Sequence, residues 1–435
     1  MTSPSSVLRT NRNFRLLFLG QAISQLGDWF NSVAVFALLL DLTGSATAVA
    51  WMMIVQFLPM AIVGPLAGVV VDRVDRKRLM ISADLFRGVT ILGLLLVRRR
   101  EEVWIAYVVT AVCVSAQAFF EPARTATIPN VTSADELMPA NALSSATWSA
   151  MLAAGASVGG LVTALSGRNV AFVLNAASFF ASAIFISQTR FNSTPPKVVR
   201  PAGFATMTGV PDLVEGIRYV RSKSHVAALM FVKAGWGLAG GVLLLLTIFG
   251  QRIFPVGSTS AGGIGILYGA RGIGAGLGPI ALRWILGQKP KTLRRSIGPA
   301  YFIVGGFYVL LAGAPNLPLA ALCVLCAHFG GSILWVFSTV LLQMEVPDRF
   351  RGRVFAAELA FVTLTSSISS YLTAVALDRA GWSPRMLSFT LGAMFCIPAL
   401  IWFGMLSRWR KDEEPTETPD AVTSGEEEVL ESRVG

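Results

Sequence analysis

Histidine and cysteine are scarce in this chain, with two and four residues respectively among 435. Two histidines cannot build a zinc cluster, and no Ser-His-Asp arrangement can be assembled around them. Cys323-Val-Leu-Cys326 followed by His328 has metal-like spacing, yet it lies in an apolar run without a fourth ligand. These residues, with Cys113 and Cys396, read as small buried side chains. No Gly-Lys dipeptide occurs anywhere, which excludes a Walker A phosphate loop and ATP hydrolysis of that type. The glycine-rich stretch 261–286 contains no Gly-x-Gly-x-x-Gly, so no dinucleotide site is indicated. Charge is also thin: 14% of residues, against about a quarter in a soluble domain. Neither an enzyme, a cofactor nor a metal is expected from this inventory.

What is present is apolar. Hydrophobic residues make up 54% of the chain, gathered into about twelve runs near the roughly 20 residues that a bilayer demands. The runs fall at 15–41, 46–70, 79–97, 103–120, 140–165, 169–188, 226–249, 261–286, 297–314, 317–341, 354–377 and 386–407. The net charge of +11 and the pI near 10.0 do not mark a nucleic-acid groove, because the cations sit in short loops between the runs. Arg9, Arg12 and Arg15 precede span 1, and Arg73 to Arg78 follow span 2. Lys289 to Arg295 follow span 8, Arg349 to Arg353 follow span 10, and Arg408 to Lys411 follow span 12. Alternating spans put all of these on one side, predicting cytoplasmic N- and C-termini in the inner (plasma) membrane. Arg98-Arg99-Arg100 dissents, offset by Glu101 and Glu102. Met1 to Arg12 is polar and the first run is too long for a signal-peptide core, so no cleavable leader is expected.

The organisation predicted is a tail over 1–14, a six-span half over 15–188, a linker over 189–224, a second half over 225–407 and an acidic tail over 408–435. In the linker, Leu213, Ile217 and Val220 oppose Arg218 and Arg221, as in a helix lying on a membrane surface. The last tail holds Glu413, Glu414, Glu426, Glu427 and Glu428 and few large apolar residues, a composition that reads as disorder. The halves echo each other: Gly64-Pro-Leu-Ala-Gly68-Val-Val-Val-Asp72-Arg73 aligns with Gly274-Ala-Gly-Leu-Gly278-Pro-Ile-Ala-Leu282-Arg283.

Between spans 2 and 3 stands Gly68-Val-Val-Val-Asp72-Arg73-Val-Asp75-Arg76-Lys77-Arg78. It resembles the loop of the major facilitator superfamily written Gly-x-x-x-Asp-Arg-x-Gly-x-Arg-Arg/Lys, with Asp75 in place of the second glycine. Three further strings resemble bacterial exporters related to macrolide-efflux and enterobactin-export proteins. They are Gly20-Gln21 through Gly27-Asp28-Trp29, Glu121-Pro122-Ala123-Arg124 through Pro129, and Val346-Pro347 through Arg351-Gly352-Arg353. The antiporter motif of helix 5 ends Gly-Pro-x-x-Gly-Gly, whereas this chain has Gly155-Ala156-Ser157-Val158-Gly159-Gly160, so helix 5 lacks the kinking proline. The resemblance implies an all-α integral membrane fold of two six-helix halves, with a substrate site at the midplane between them.

Candidate functional residues follow. Asp28 lies near the middle of span 1, where a lone charge is costly and functional more often than structural. It is expected to load and release a proton as access alternates. Arg271 and Lys233 are the cations expected to partner it across the half interface or to hold an anionic substrate, with snorkelling as the equal alternative for Lys233. Asp84 and Arg87 are expected to pair with each other outside the cavity, and Glu358 to pair with loop arginines. In the loop motif, Gly68, Asp72, Arg73, Arg76, Lys77 and Arg124 form the expected cytoplasmic gate. There Asp72 meets the N-terminus of span 11 or Arg124, and Arg73 and Arg76 reach acids or phosphates on the same side. Phe57, Trp148, Trp236 and Trp335 are expected to line an adaptable substrate surface. The function read from this is proton-coupled efflux of amphipathic small molecules, of drug, macrolide or siderophore type, by a monomer in contact with membrane lipids. The alternatives are a transporter of one solute, such as a lysophospholipid or siderophore, without proton antiport, or a non-transporting membrane sensor. No nucleic-acid partner is expected.

Overall fold

A computed structural model describes residues 4–71, 74–190, 218, 220, 223–257, 261–286 and 289–413. Among the described residues the chain is almost wholly helical and holds no strand. Asp72, Arg73, most of the linker and the acidic tail after Glu413 lie outside them, so the expected linker helix and the gate aspartate are not described.

Among the described residues, eleven helical segments are long and apolar enough to cross a membrane. A further helix, Ala261–Leu286, is of similar length, but its glycines and Arg271 dilute its apolar character. The first half begins with the short α1 (Pro4–Thr10), α2 (Arg12–Thr43), α3 (Ala46–Val71) and α4 (Arg76–Ile91). It continues with α5 (Val103–Val131), α6 (Ala134–Ser166) and α7 (Arg168–Ser187). The second half holds α8 (Ser224–Leu238), α9 (Val242–Ile248), α10 (Ala261–Leu286) and α11 (Pro290–Ala312). After them come α12 (Leu317–Glu345), α13 (Asp348–Asp378), α14 (Pro384–Met394) and α15 (Cys396–Glu413).

Local chemistry sets the helix ends. Asn11 caps α2 by accepting from the Phe14 N–H, and Gly44 ends it at φ 64°, where a side chain would be strained. Ser133 and Glu136 form a capping box at the start of α6. Asp75 accepts from the Arg78 N–H as the cap of α4. The residue that departs from the family loop pattern therefore has a structural use: a carboxylate caps a helix better than glycine does.

Three runs expected to be continuous are interrupted. Span 3 ends as α-helix at Ile91 and tightens into a 3₁₀ turn to Leu96. Span 12 divides at Phe395 into α14 and α15. Span 7 breaks between α8 and α9 at Ala239-Gly240-Gly241 and closes in a π turn, Phe249–Ile253. The backbone freed at this break is met by α13: Ser369 Oγ accepts from the Gly241 N–H at 3.1 Å, and Ser370 Oγ donates to the Gly240 carbonyl at 3.5 Å. Interior hydroxyls of this kind are what allow a break inside a bilayer.

The halves meet chiefly where α6 lies against α10. Small residues let these backbones touch: a Cβ on Gly160 would stand 2.7 Å from Gly265 Cα, and one on Gly265 would stand 2.7 Å from the Ala156 carbonyl. Hydrogen bonds between the halves lie, among the described residues, at the face opposite the termini. Asp378 at the end of α13 accepts from the backbone N–H groups of Ala46 and Thr47 at 3.0 and 2.8 Å and from the hydroxyls of Ser45 and Thr47 at 2.7 and 2.8 Å. This carboxylate thus caps α3 from the other half. Arg252 donates to the Gly44 carbonyl at 2.7 Å beside it.

The seam makes a stability prediction. Gly265→Ala is expected to cost about 1–3 kcal/mol, because an overpacked contact here is backbone against backbone. Gly306→Ala, with nothing within 4 Å of the added carbon, should be neutral. Thermal unfolding of the purified protein in detergent compares the two, and equal melting temperatures would show that the seam tolerates extra volume.

Candidate functional site

The mid-depth charges fall into three groups, each assembled from different helices. In the first half, Asp28 stands at the centre of α2. A Cβ on neighbouring Gly27 would lie 2.6 Å from Asn175 Oδ1 of α7, so its bareness lets α7 close on α2 at this level. Arg87 of α4 reaches across this contact, its guanidinium 4.0 Å above the Phe179 ring. Arg87 Nη2 donates to both oxygens of Asp28, at 3.1 and 2.9 Å. Arg87 Nη1 meets Asp84 Oδ1 at a longer 3.5 Å. Asp84 and Arg87 are 0% and 2% exposed, whereas the Asp28 side chain is 32% exposed. Asp28 is therefore the accessible end of a buried row of two carboxylates and one guanidinium.

This corrects the expectation in two ways. The partner of Asp28 is neither Arg271 nor Lys233 but Arg87, from its own half. Asp84 and Arg87 do pair, yet they belong to the same network as Asp28 and not to a separate outer pair. The i, i+3 spacing of the acid and the arginine was visible in the sequence. That the arginine's second edge turns towards α2 depends on how α4 and α7 pack.

In the second half, Lys233 of α8 does not snorkel. Its Nζ lies 2.8 Å from Glu358 Oε2 of α13 and donates to Thr339 Oγ1 of α12 at 2.8 Å. Both charged side chains are buried, at 7% and 3% exposure. Glu358 is thus held by Lys233, not by the loop arginines, because α13 carries it inward, three turns from its start. Trp335 stands beside this pair, its ring centroid 5.0 Å from Lys233 Nζ, and packs edge-on to Trp236 at 6.1 Å. A matching arrangement occurs in the first half: buried Arg124 donates to Glu121 at 2.9 and 3.2 Å and to Gln21 Oε1 at 3.0 Å. Gln21 and Lys233 are each nine residues into their helices, so both halves carry a polar tie at this level.

The third group lies on the seam. Arg271 of α10 is half-buried and surrounded by rings from both halves. Its guanidinium carbon is 5.9 Å from the centroids of Trp29 (α2) and Trp148 (α6), and 5.5 Å from that of Tyr268 on its own helix. Trp29 and Trp148 pack edge-to-face at 6.0 Å. Of the four expected lining residues, Trp148 joins Arg271, Trp335 joins Lys233, and Trp236 packs on Trp335. Phe57 is 56% exposed and meets neither charged group. Tyr268 was missed; its signal was its place one turn before Arg271.

The gate motif is placed in part. Arg76 Nη1 donates to the Ala126 carbonyl at 3.1 Å and to Asn130 Oδ1 at 3.4 Å, so it ties the loop to the end of α5 in place of the acids or phosphates expected. Lys77 Nζ donates to the Thr189 carbonyl after α7 at 2.7 Å. Arg124 already holds Glu121. Gly68 lies in α3, close to its end, and Asp72 and Arg73 lie outside the described residues. The Cys323–His328 segment carries no metal set: His328 Nε2 lies 2.9 Å from the Tyr308 hydroxyl, and no cluster able to hold a metal occurs among the described residues.

Comparison with known proteins agrees with this architecture. The chain is 24% identical over 414 residues to the uncharacterized MFS-type transporter YfiS of Bacillus subtilis (strain 168), covering 92% of this chain and 94% of that one. It is 26% identical to the putative bacilysin exporter BacE of the same strain, over 82% of this chain and 87% of the exporter. It is 24% identical to macrolide efflux protein A of Streptococcus pyogenes, over 85% and 90% of the two chains. In fold it is similar to the POT family transporter PepTSo, with a TM-score of 0.73 at 11% identity over 93% of this chain and 99% of that one. It is likewise similar to the nucleoside transporter NupG, with a TM-score of 0.67 at 12% identity over 90% and 100%. The family model described as Major Facilitator Superfamily matches residues 17–369, and the chain, a multi-pass membrane transporter and not an enzyme, belongs to that superfamily.

Proposed function

We propose that the protein is a secondary active exporter of amphipathic small molecules, working by alternating access at the seam between its halves and coupled to protons through Asp28. The observation that carries the proposal is the row Asp28–Arg87–Asp84. Two carboxylates share one guanidinium deep in the membrane, leaving one negative charge in excess that a single proton neutralises. Asp28 is the accessible member, so it is the point where a proton enters. Likeness to a macrolide efflux protein and to a putative bacilysin exporter supports small amphipathic cargo and outward movement. The aromatic residues beside Arg271 and Lys233 supply an apolar lining.

On this reading both termini are cytoplasmic, the membrane is the inner (plasma) membrane, and the protein acts as a monomer among lipids. The contacts of Asp378 and Arg252 then form an outer gate, and the described arrangement is inward-facing. Gly68, Asp72 and Arg73 are then the inner-gate motif read from the sequence. Arg76 and Lys77 anchor its loop to their own half. A second reading, transport of one solute without proton antiport, is favoured by the unkinked Gly155–Gly160 segment of α6.

Purified protein in liposomes with an imposed pH gradient, given a panel of dyes, antibiotics and siderophores, should move at least one compound uphill. A panel without any gradient-dependent movement would sink the export reading. Asp28→Asn should abolish the dependence on the pH gradient and keep downhill exchange. The same variant should unfold no earlier than wild type, since Arg87 and Asp84 remain balanced. Arg87→Leu leaves two uncompensated carboxylates and should cost about 3–5 kcal/mol. Undiminished uphill transport by Asp28→Asn removes this carboxylate from coupling.

Asp72→Asn is expected to lower transport strongly at normal membrane abundance, because a charge-assisted bond at the closing interface is lost. Near-normal transport would reduce the loop to a marker of topology. For orientation, a cysteine at Thr292 should react with an impermeant maleimide only from the cytoplasm, and one at Asn316 only from outside; the reverse pattern would invert the protein.

A further inference from the structure

We infer that Arg271 recognises an anionic group on the substrate, a carboxylate or phosphate carried by an aromatic or otherwise apolar body. The inference rests on the export reading only for what the bound molecule is used for.

The first ground is a contrast among the mid-depth cations. Arg87, Arg124 and Lys233 each hold a carboxylate at 2.8–2.9 Å. Arg271 has neither an ion pair nor a hydrogen bond among the described residues; its neighbours are three ring faces. The mid-depth acids of the two halves are already engaged elsewhere, Asp28 by Arg87 and Glu358 by Lys233. A guanidinium at this depth without an anion is costly. Ring faces at 5.5–5.9 Å offset little of that, since the useful range ends near about 6 Å. Among the described residues nothing completes the group, and an anion on a bound molecule would.

The second ground is geometry. Gly269 and Gly272, which flank Arg271, lie against Ser157 and Ala153 of α6, so the arginine emerges beside the tightest contact between the halves. Trp29 and Trp148 come from one half, Tyr268 and Arg271 from the other. A bound molecule would touch both, its oxyanion on the planar fork of the guanidinium, which suits two parallel N–H···O bonds. Its apolar body would lie along the tryptophans. Trp148 is 45% exposed and free to accept such a face. A ligand held by both halves meets a different surface in each state and so can shift the balance between inward and outward states.

The test is binding by the full-length protein in detergent, read by tryptophan quenching, with matched probes. Naphthylacetate and naphthyl phosphate are compared with neutral naphthylacetamide, and oleoyl lysophosphatidate is compared with neutral monoolein. At least one acid should bind about tenfold or more tightly than its neutral match. That preference should vanish in Arg271→Gln and return in part in Arg271→Lys, while the melting temperature of unliganded Arg271→Gln stays at or above that of wild type. The naphthyl acids separate carboxylate from phosphate, and the lipid pair reports whether a lipid headgroup is the source. Equal binding of acids and neutral matches, or an unchanged preference in Arg271→Gln, overturns the inference. Acid-selective binding without transport in liposomes would instead defeat the export reading and leave the site standing. Export of neutral compounds with no preference for acids would do the opposite.

Discussion

A charge in a bilayer is costly without a partner, and the interior of this structure is arranged around that constraint. Arg87 serves Asp28 and Asp84, Arg124 serves Glu121, and Lys233 serves Glu358. Each pair joins side chains that water would otherwise have to reach, so breaking one costs far more than forming it contributes. The first half carries three such acids against two arginines, and the second carries Glu358 against Lys233 and Arg271. One negative charge is thus in excess on one side of the seam and one positive charge on the other. Neither excess is compensated at contact distance by the described residues, and both sit where an alternating-access protein must handle ions and cargo.

The seam itself depends on small side chains. Gly160 against Gly265, and the glycines beside Arg271 against α6, bring backbones together in the absence of any hydrophobic drive between helices in lipid. Polar bonds between the halves are confined, among the described residues, to the face where Asp378 caps α3. A cap made across an interface can open without leaving buried groups stranded, because both partners are near water at that face. Polar ties lie at the same position in α2 and α8, nine residues into each helix.

Much of the fold was legible in the sequence. Run length against bilayer thickness predicted the spans, and the loop motif with its flanking strings pointed to the superfamily. Breaks were less legible. The Gly240-Gly241 pair signalled weakness in span 7, but whether a helix breaks there depends on Ser369 and Ser370 arriving from α13. Likewise Asp75 read as a lost glycine until its carboxylate was seen capping α4.

Sequence by itself determined the membrane-spanning class, the approximate spans and the identity of the intramembrane charges, because each follows from transfer energies that act residue by residue. Only the tertiary structure decided which charge meets which. Asp28 lies 59 residues from Arg87 and Lys233 lies 125 from Glu358, and no local periodicity links them. Helix rotation and close approach at Gly27 turn Arg87 towards α2, so Arg271 remains among rings without a carboxylate. Pairing energies depend on distances of a few ångströms between elements remote in the chain, and packing alone sets those distances.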